Sequence, residues 1–291
     1  MKKLKKLFGG IELTWTKTIL LAVAAGAYTA VMALLPAAKD TSFADITISF
    51  EVWILFGIFL IMNSRSPADA AGKCFVFFLV SQPLVYLIQV PFSTLGWGLF
   101  RYYRTWFLWT LCTIPMGFFG YGMKREKWWG LLILTPALLL LGAHYARFFG
   151  LTRYWFPRHL LSAAFCCVTM LLYPVCIFEN KKLRNTGAAI GALILIGAAA
   201  FSLANPNVYR TDVLTNGGSA GAVFDDTYRV RLADERRGSV AITYNAGVED
   251  YFVHAEFVRG GKTELILEDP DGAQTVYELD VGYSRFDIRE K

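Results

Sequence analysis

Arginines set among aromatic residues are the feature of this sequence best suited to binding chemistry. They lie in two stretches, Trp97-Gly-Leu-Phe-Arg101-Tyr-Tyr-Arg104-Thr-Trp106 and Arg147-Phe-Phe-Gly-Leu-Thr-Arg153-Tyr-Trp-Phe-Pro-Arg158-His159. A guanidinium presents a planar fork of donors that matches a carboxylate or a phosphate. Arg101, Arg104, Arg147, Arg153 and Arg158 are therefore candidate ligands for an anionic solute or a lipid headgroup. The competing reading is structural. Arg and aromatic side chains also form ordinary interfacial belts, and these arginines could pair with Asp40, Asp45, Glu51 or the acidic C-terminal region.

Other polar groups stand in apolar surroundings. Gln82, Tyr86 and Gln89 are spaced i, i+4, i+7 and share one helix face beside Pro83. They are candidates to line a solute path, with interhelical hydrogen bonding as the plainer alternative. Glu51 sits near the end of an apolar segment, where a carboxylate needs a partner; Arg101, Arg104 or Arg147 would serve, so Glu51 reads either as half of a structural ion pair or as a functional acid, and with His144 it joins the arginines as a candidate ligand-binding residue. His144 and His159 fall in the same region. They come from different segments without metal-ligand spacing, so no metal site is assigned. Gly217-Gly-Ser-Ala-Gly221 matches G-x-S-x-G in letters, but its flanks are not strand and helix, and it reads as a turn. No catalytic residue and no cofactor is assigned.

The elements that must position these groups are membrane spans. The chain has 291 residues, 55% hydrophobic and 18% charged, more apolar and less charged than soluble domains. Residues 1–204 carry 19 Lys/Arg and 7 Asp/Glu, a net of +12, and residues 205–291 carry 10 and 16, a net of −6. The basic balance is thus a basic membrane part joined to an acidic soluble part, and implies no nucleic acid. Five cysteines, Cys74, Cys112, Cys166, Cys167 and Cys176, lie in apolar stretches and read as small hydrophobes.

Apolar runs near 18–37, 46–63, 74–92, 105–123, 128–146, 159–178 and 186–204 predict about seven spans. The basic Met-Lys-Lys-Leu-Lys-Lys start and the loops after spans 2, 4 and 6 hold 13 Lys/Arg, against 6 in the opposite loops. This bias places the N-terminus in the cytoplasm of a multi-pass cell-membrane protein and the C-terminus outside. The first apolar run is long for a cleaved signal and lacks a clean A-x-A site. Ala22, Gly26 and Ala30, and likewise Gly187, Gly191 and Gly197, form small-residue faces suited to close helix packing or to a partner subunit.

After residue 204 the pattern changes to period two. Tyr228–Leu232, Val240–Tyr244, Tyr251–Val258, Glu264–Glu268 and Thr275–Val281 alternate polar and apolar residues. Asp269-Pro-Asp-Gly272 and Arg259-Gly-Gly-Lys262 read as hairpin turns. The expected architecture is a mainly α transmembrane bundle, 1–204, plus a small antiparallel β-sandwich, 205–291, outside the cytoplasm.

The small-residue face of span 1, followed by Ser42-Phe-Ala-Asp-Ile-Thr-Ile-Ser-Phe-Glu51 before span 2, resembles the opening of the substrate-binding subunits of energy-coupling-factor vitamin transporters. The resemblance covers only the first two spans, and the chain departs from that family in span number and in its appended β domain, so the resemblance assigns no residue roles.

Three functions remain in view. The first is a transporter, transporter subunit or channel for an anionic solute or headgroup. The second is a non-catalytic envelope protein that meets a protein partner through its β domain. The third is an enzyme acting on lipid at the outer leaflet.

Overall fold

The computed structural model describes residues 7–47, 49–216, 222–283 and 285–291. The lysine-rich start and the G-x-S-x-G stretch lie outside the described residues.

Seven helices of twelve residues or more are present among the described residues: α1 Trp15–Leu34, α2 Glu51–Met62, α3 Pro67–Gln89, α4 Phe100–Gly120, α5 Trp128–Tyr154, α6 Leu160–Ile177 and α7 Lys181–Ala204. Five of them, α1, α3 (with its continuation to Phe92), α5, α6 and α7, are long and apolar enough to cross a membrane. The burial of α1 is inverted relative to a soluble bundle. In α1 the buried residues are Thr18, Ala22, Ala25, Gly26, Thr29 and Ala30, while Ile19, Leu20, Val23 and Val31 are exposed. Leu132, Leu139, Leu193, Ile196, Phe201 and Leu203 are also exposed. An apolar surface this extensive is tolerated in hydrocarbon and not in water.

Local chemistry moves several helix ends away from the boundaries that hydropathy predicts. Thr14 caps α1, accepting from the Lys17 N–H at 3.3 Å, so the helix starts at Trp15 rather than 18. Ser66 and Pro67 form the start of α3, with Ser66 Oγ accepting from the Asp69 N–H at 3.1 Å. This places Lys73 inside the helix and not in a loop.

Helix α2 differs most from the expected span. It has 12 residues, about 18 Å at the usual rise and short of the hydrocarbon thickness of about 30 Å. Its start is displaced because Ser42–Asp45 forms a separate helical turn and the Trp53 indole donates to the Ile46 carbonyl at 3.0 Å. Its end is fixed by Asn63. The Asn63 amide oxygen accepts from the Gly9 and Ile11 N–H groups at 3.1 and 2.9 Å, and its nitrogen donates to the Leu7 carbonyl at 2.7 Å. The arginine positions shift as well. Arg101 and Arg104 lie in the first turns of α4, and Arg147 and Arg153 lie within α5, rather than in loops.

The chain divides into two compact units. One comprises the chain up to Phe148 together with Leu160–Phe201; the other joins Phe149–His159 to Ser202–Lys291. In the first, α3 packs on α1 and α4. The contacts are backbone-close. A Cβ on Gly26 would lie 2.7 Å from the Ser81 carbonyl oxygen, and one on Gly117 would lie 2.8 Å from the Ala71 Cα. Gly191 approaches the Met170 carbonyl in the same way, whereas Gly197 faces open space.

The second unit holds two antiparallel sheets, β1-β4-β3 and β2-β5-β6-β7. The strands are β1 Tyr209–Thr215, β2 Arg229–Leu232, β3 Gly238–Asn245, β4 Asp250–Phe257, β5 Gly261–Glu268, β6 Gln274–Val281 and β7 Phe286–Glu290. Both sheets contribute to one core, including Val253, Ala255 and Phe257 from β4 and Leu265, Leu267, Tyr277 and Leu279 from β5 and β6.

The Asp269–Gly272 turn is a hairpin, as its residues predict. Asp269 Oδ1 accepts from the Asp271 and Ala273 N–H groups, and Gly272 has φ 87°. Arg259–Lys262 is not a hairpin. It carries the chain from β4 in one sheet to β5 in the other. The reason is a non-local bond: the Gly260 N–H donates to the Tyr154 carbonyl at 2.8 Å. The Tyr154 hydroxyl also donates to the Gly282 carbonyl at 3.3 Å, so the end of α5 is part of this unit.

Gly26→Leu forces a side chain into the Ser81 backbone and is expected to destabilise by about 1–3 kcal/mol. Gly197→Leu meets nothing and is expected to be neutral or stabilising. Thermal unfolding of both variants in the same detergent tests the contrast.

Candidate functional site

The residue before Glu51 joins the helix ends that carry the arginines of the first unit. The Phe50 ring packs at 5.4 Å from Trp106 and 5.2 Å from Trp109 of α4, and at 5.8 Å from His144 of α5. The ends of α4 and α5 bearing Arg104 and Arg147 therefore meet around α2. Arg147 lies within electrostatic reach of Glu51 without forming an ion pair, and its guanidinium stands 5.9 Å from the Phe148 ring. Arg101 is exposed and lies over Tyr102 at 4.8 Å, donating to its hydroxyl at 2.8 Å. Arg104 is exposed and has no hydrogen-bond or ion-pair partner among the described residues. His144 is half-buried and stacks on Phe148 at 6.1 Å.

The remaining two arginines belong to the second unit. Arg153 is exposed, and its Nη1 donates to the Ser202 carbonyl at 3.3 Å. Arg158 is half-buried and stands 4.0 Å from the Trp155 ring centroid. His159 is buried. Among the described residues, no three His, Cys, Asp or Glu side chains gather as metal ligands. None of the five cysteines forms a disulfide; Cys74, Cys166 and Cys176 are buried, Cys112 is exposed and Cys167 is half-buried.

The glutamine stripe of α3 divides in its surroundings. Gln82 is buried, and its Nε2 has no partner among the described residues. Tyr86 packs against the Phe100 and Tyr103 rings of α4 at 6.0 and 6.1 Å. Gln89 turns back on its own helix, donating to the Val85 carbonyl at 2.9 Å.

Glu51 is 2% exposed and sits in a polar group that the sequence does not advertise. Ser49 Oγ is 2.8 Å from Glu51 Oε1 and also contacts the Asp45 carbonyl oxygen. Ser162 Oγ donates to Asp45 Oδ2 at 2.6 Å, and the Ser162 N–H donates to Ser42 Oγ at 3.1 Å. Glu51 Oε2 has no partner among the described residues. Helix α6 extends this group inward. Ser162, Cys166, Thr169 and Tyr173 recur at i, i+4, i+7 and i+11, all buried, and Cys166 lies within electrostatic reach of Glu51 and Asp45. That spacing is readable in the sequence once helix periodicity is applied to hydroxyl and thiol groups as well as to amides.

A second polar group forms where α2 meets α3. The Lys73 ammonium is 2% exposed and pairs with Asp69 Oδ2 at 2.6 Å. Asp69 also accepts from the Arg65 N–H at 2.8 Å. Lys124, between α4 and α5, donates to the Ser64 carbonyl at 2.7 Å, and burial lowers its amine below the usual lysine range. Positive charge in these loops, which hydropathy reads only as an orientation signal, is thus used to tie the α2–α3 turn to the α4–α5 turn.

Comparison with known protein families, with characterised proteins and with solved structures finds no match to this chain.

Asp69→Asn leaves the Lys73 ammonium buried without its carboxylate. The expected cost is about 3 kcal/mol, read as a lowered unfolding temperature. Asp69→Asn combined with Lys73→Met should recover most of the loss.

Proposed function

We propose that this chain is a seven-span membrane protein that binds an anionic solute or lipid headgroup through Arg101, Arg104 and Arg147. The carrying observation is the state of the α4 guanidiniums. Arg104 is exposed without a protein partner among the described residues, and Arg101 engages only the neighbouring tyrosine. A forked donor held at the end of an apolar helix, beside aromatic rings and with no carboxylate on it, is suited to an anion supplied from outside the chain.

Native mass spectrometry of the protein in mild detergent tests this reading. An anionic adduct is expected on the wild type and is expected to be lost when Arg101, Arg104 and Arg147 are all changed to Gln. Bare protein in both samples would overturn it and favour the envelope reading. That second reading is supported by a groove of about 420 Å³ on the sheet unit, lined by charged residues of β5, β6 and β7 including Lys262, Glu264, Glu278, Asp280, Asp287 and Arg289.

The orientation belongs to the same proposal. Counting α2 and α4 as crossings gives seven spans, and the excess of Lys/Arg on one set of loops supports a cytoplasmic N-terminus and an external sheet unit. A cysteine at Ser239 should react with an impermeant reagent in intact cells, and one at Asn180 should not. The reverse pattern would invert the orientation.

A further inference from the structure

We propose that Glu51 is a proton-binding site inside the helical unit, reversibly charged and coupled through Ser49 to the Ser42–Asp45 turn. The first observation is a hydrogen count. Ser49 Oγ contacts both Glu51 Oε1 and the Asp45 carbonyl oxygen, yet a hydroxyl has one hydrogen to donate. Both contacts are satisfied together when Glu51 carries a proton and donates it to Ser49 Oγ, while Ser49 donates to the Asp45 carbonyl. The second observation is the isolation of the other oxygen. Glu51 Oε2 is buried with no partner, and no cation among the described residues contacts the carboxyl group. An ionised carboxylate in that position has the Ser49 hydroxyl, its own backbone N–H and the more distant Arg147 charge to set against lost hydration, whereas the neutral acid loses little hydration to begin with.

Departure of the proton is felt by the groups packed around the carboxyl. The titratable and charged groups acting on Glu51 are Asp45 of the preceding turn, Arg147 of α5 and Cys166 of α6, while His144 of α5 packs on the neighbouring Phe50 ring. From α4 come the Trp106 and Trp109 rings that pack on Phe50. With the proton gone, the single Ser49 hydrogen turns to Glu51 and releases the Asp45 carbonyl. Arg147 becomes the nearest source of compensating positive charge. Asp45 is itself held to α6 by Ser162, so the charge on Glu51 is transmitted to the contact between the Ser42–Asp45 turn and α6. The proposal does not rest on the anion reading, because no arginine contacts the Glu51 carboxyl group, although the charge of Arg147 is common to both.

Infrared difference spectroscopy of the full chain in lipid, recorded across a pH series in water and heavy water, tests it. A protonated-carboxyl carbonyl band present at neutral pH is expected. It should shift in heavy water, disappear in Glu51→Gln and persist in Asp45→Asn. Absence of the band at neutral pH, or its survival in Glu51→Gln, would overturn the proposal. Should Glu51→Gln fail to fold, Ser49→Ala carries the test. Removing the acceptor of the Glu51 proton is expected to raise the band frequency, and an unmoved band would sink the idea.

Discussion

Close approach of helix backbones at glycine is the constraint on which the helical unit depends. Lipid tails are as apolar as leucine, so no hydrophobic drive favours helix contact inside a bilayer, and association relies on packing and polar contacts. Gly26 lets α1 lie against the Ser81 backbone, Gly117 lets α4 lie against Ala70 and Ala71, and Gly191 lets α7 lie against Met170. With α1 and α4 both seated on α3, the large side chains of these helices are free to face outward, which is where Leu20, Leu108 and Phe119 stand. In α1 the side chains turned inward are small or carry a hydroxyl, from Thr18 to Ala30, and a few polar groups are thereby buried among apolar ones.

That interior is where chemistry becomes expensive and therefore specific. A hydroxyl can satisfy itself on its own helix, as Thr29 does on the Ala25 carbonyl at 2.8 Å and Thr169 on the Phe165 carbonyl at 2.7 Å. A carboxylate cannot, and needs either a cation or a proton. Two acid groups of the unit take the two routes. Asp69 takes Lys73 as its cation. Among the described residues, Glu51 has the Ser49 hydroxyl and its own backbone N–H at the carboxyl group, and its Oε2 has no partner.

Helix existence was legible in the sequence because apolar length is a strong signal, and the five membrane-length helices lie where hydropathy places them. The ends were less legible, since they are set by single side chains such as Thr14, Ser66 and Asn63 rather than by hydropathy. Twelve-residue α2 is the clearest case: the apolar run extends beyond it, but the Trp53 bond to Ile46 and the Asp45–Ser49 contact give the preceding residues another course. In the sheet unit, alternation gave β2 to β6, and Asp-Pro-Asp-Gly gave its turn. Arg259-Gly-Gly-Lys262 misled because its turn chemistry is genuine, while the partner of Gly260 is Tyr154, far earlier in the chain. The arginines were found by composition. The Ser49–Glu51 contact was not, because it joins two residues whose pairing depends on where α2 begins.

The Tyr154 bond to Gly260 also bears on the order of events during synthesis. Residues 149–159 leave the ribosome well before β1, yet they belong to the same compact unit as all seven strands. The sheet unit therefore cannot complete itself as a late, self-contained segment in the way that terminal domains usually do. It must wait for, and then close upon, a helix end already delivered with the earlier part of the chain. An excised fragment starting at residue 205 would lack that edge and leave the Gly260 N–H without its acceptor.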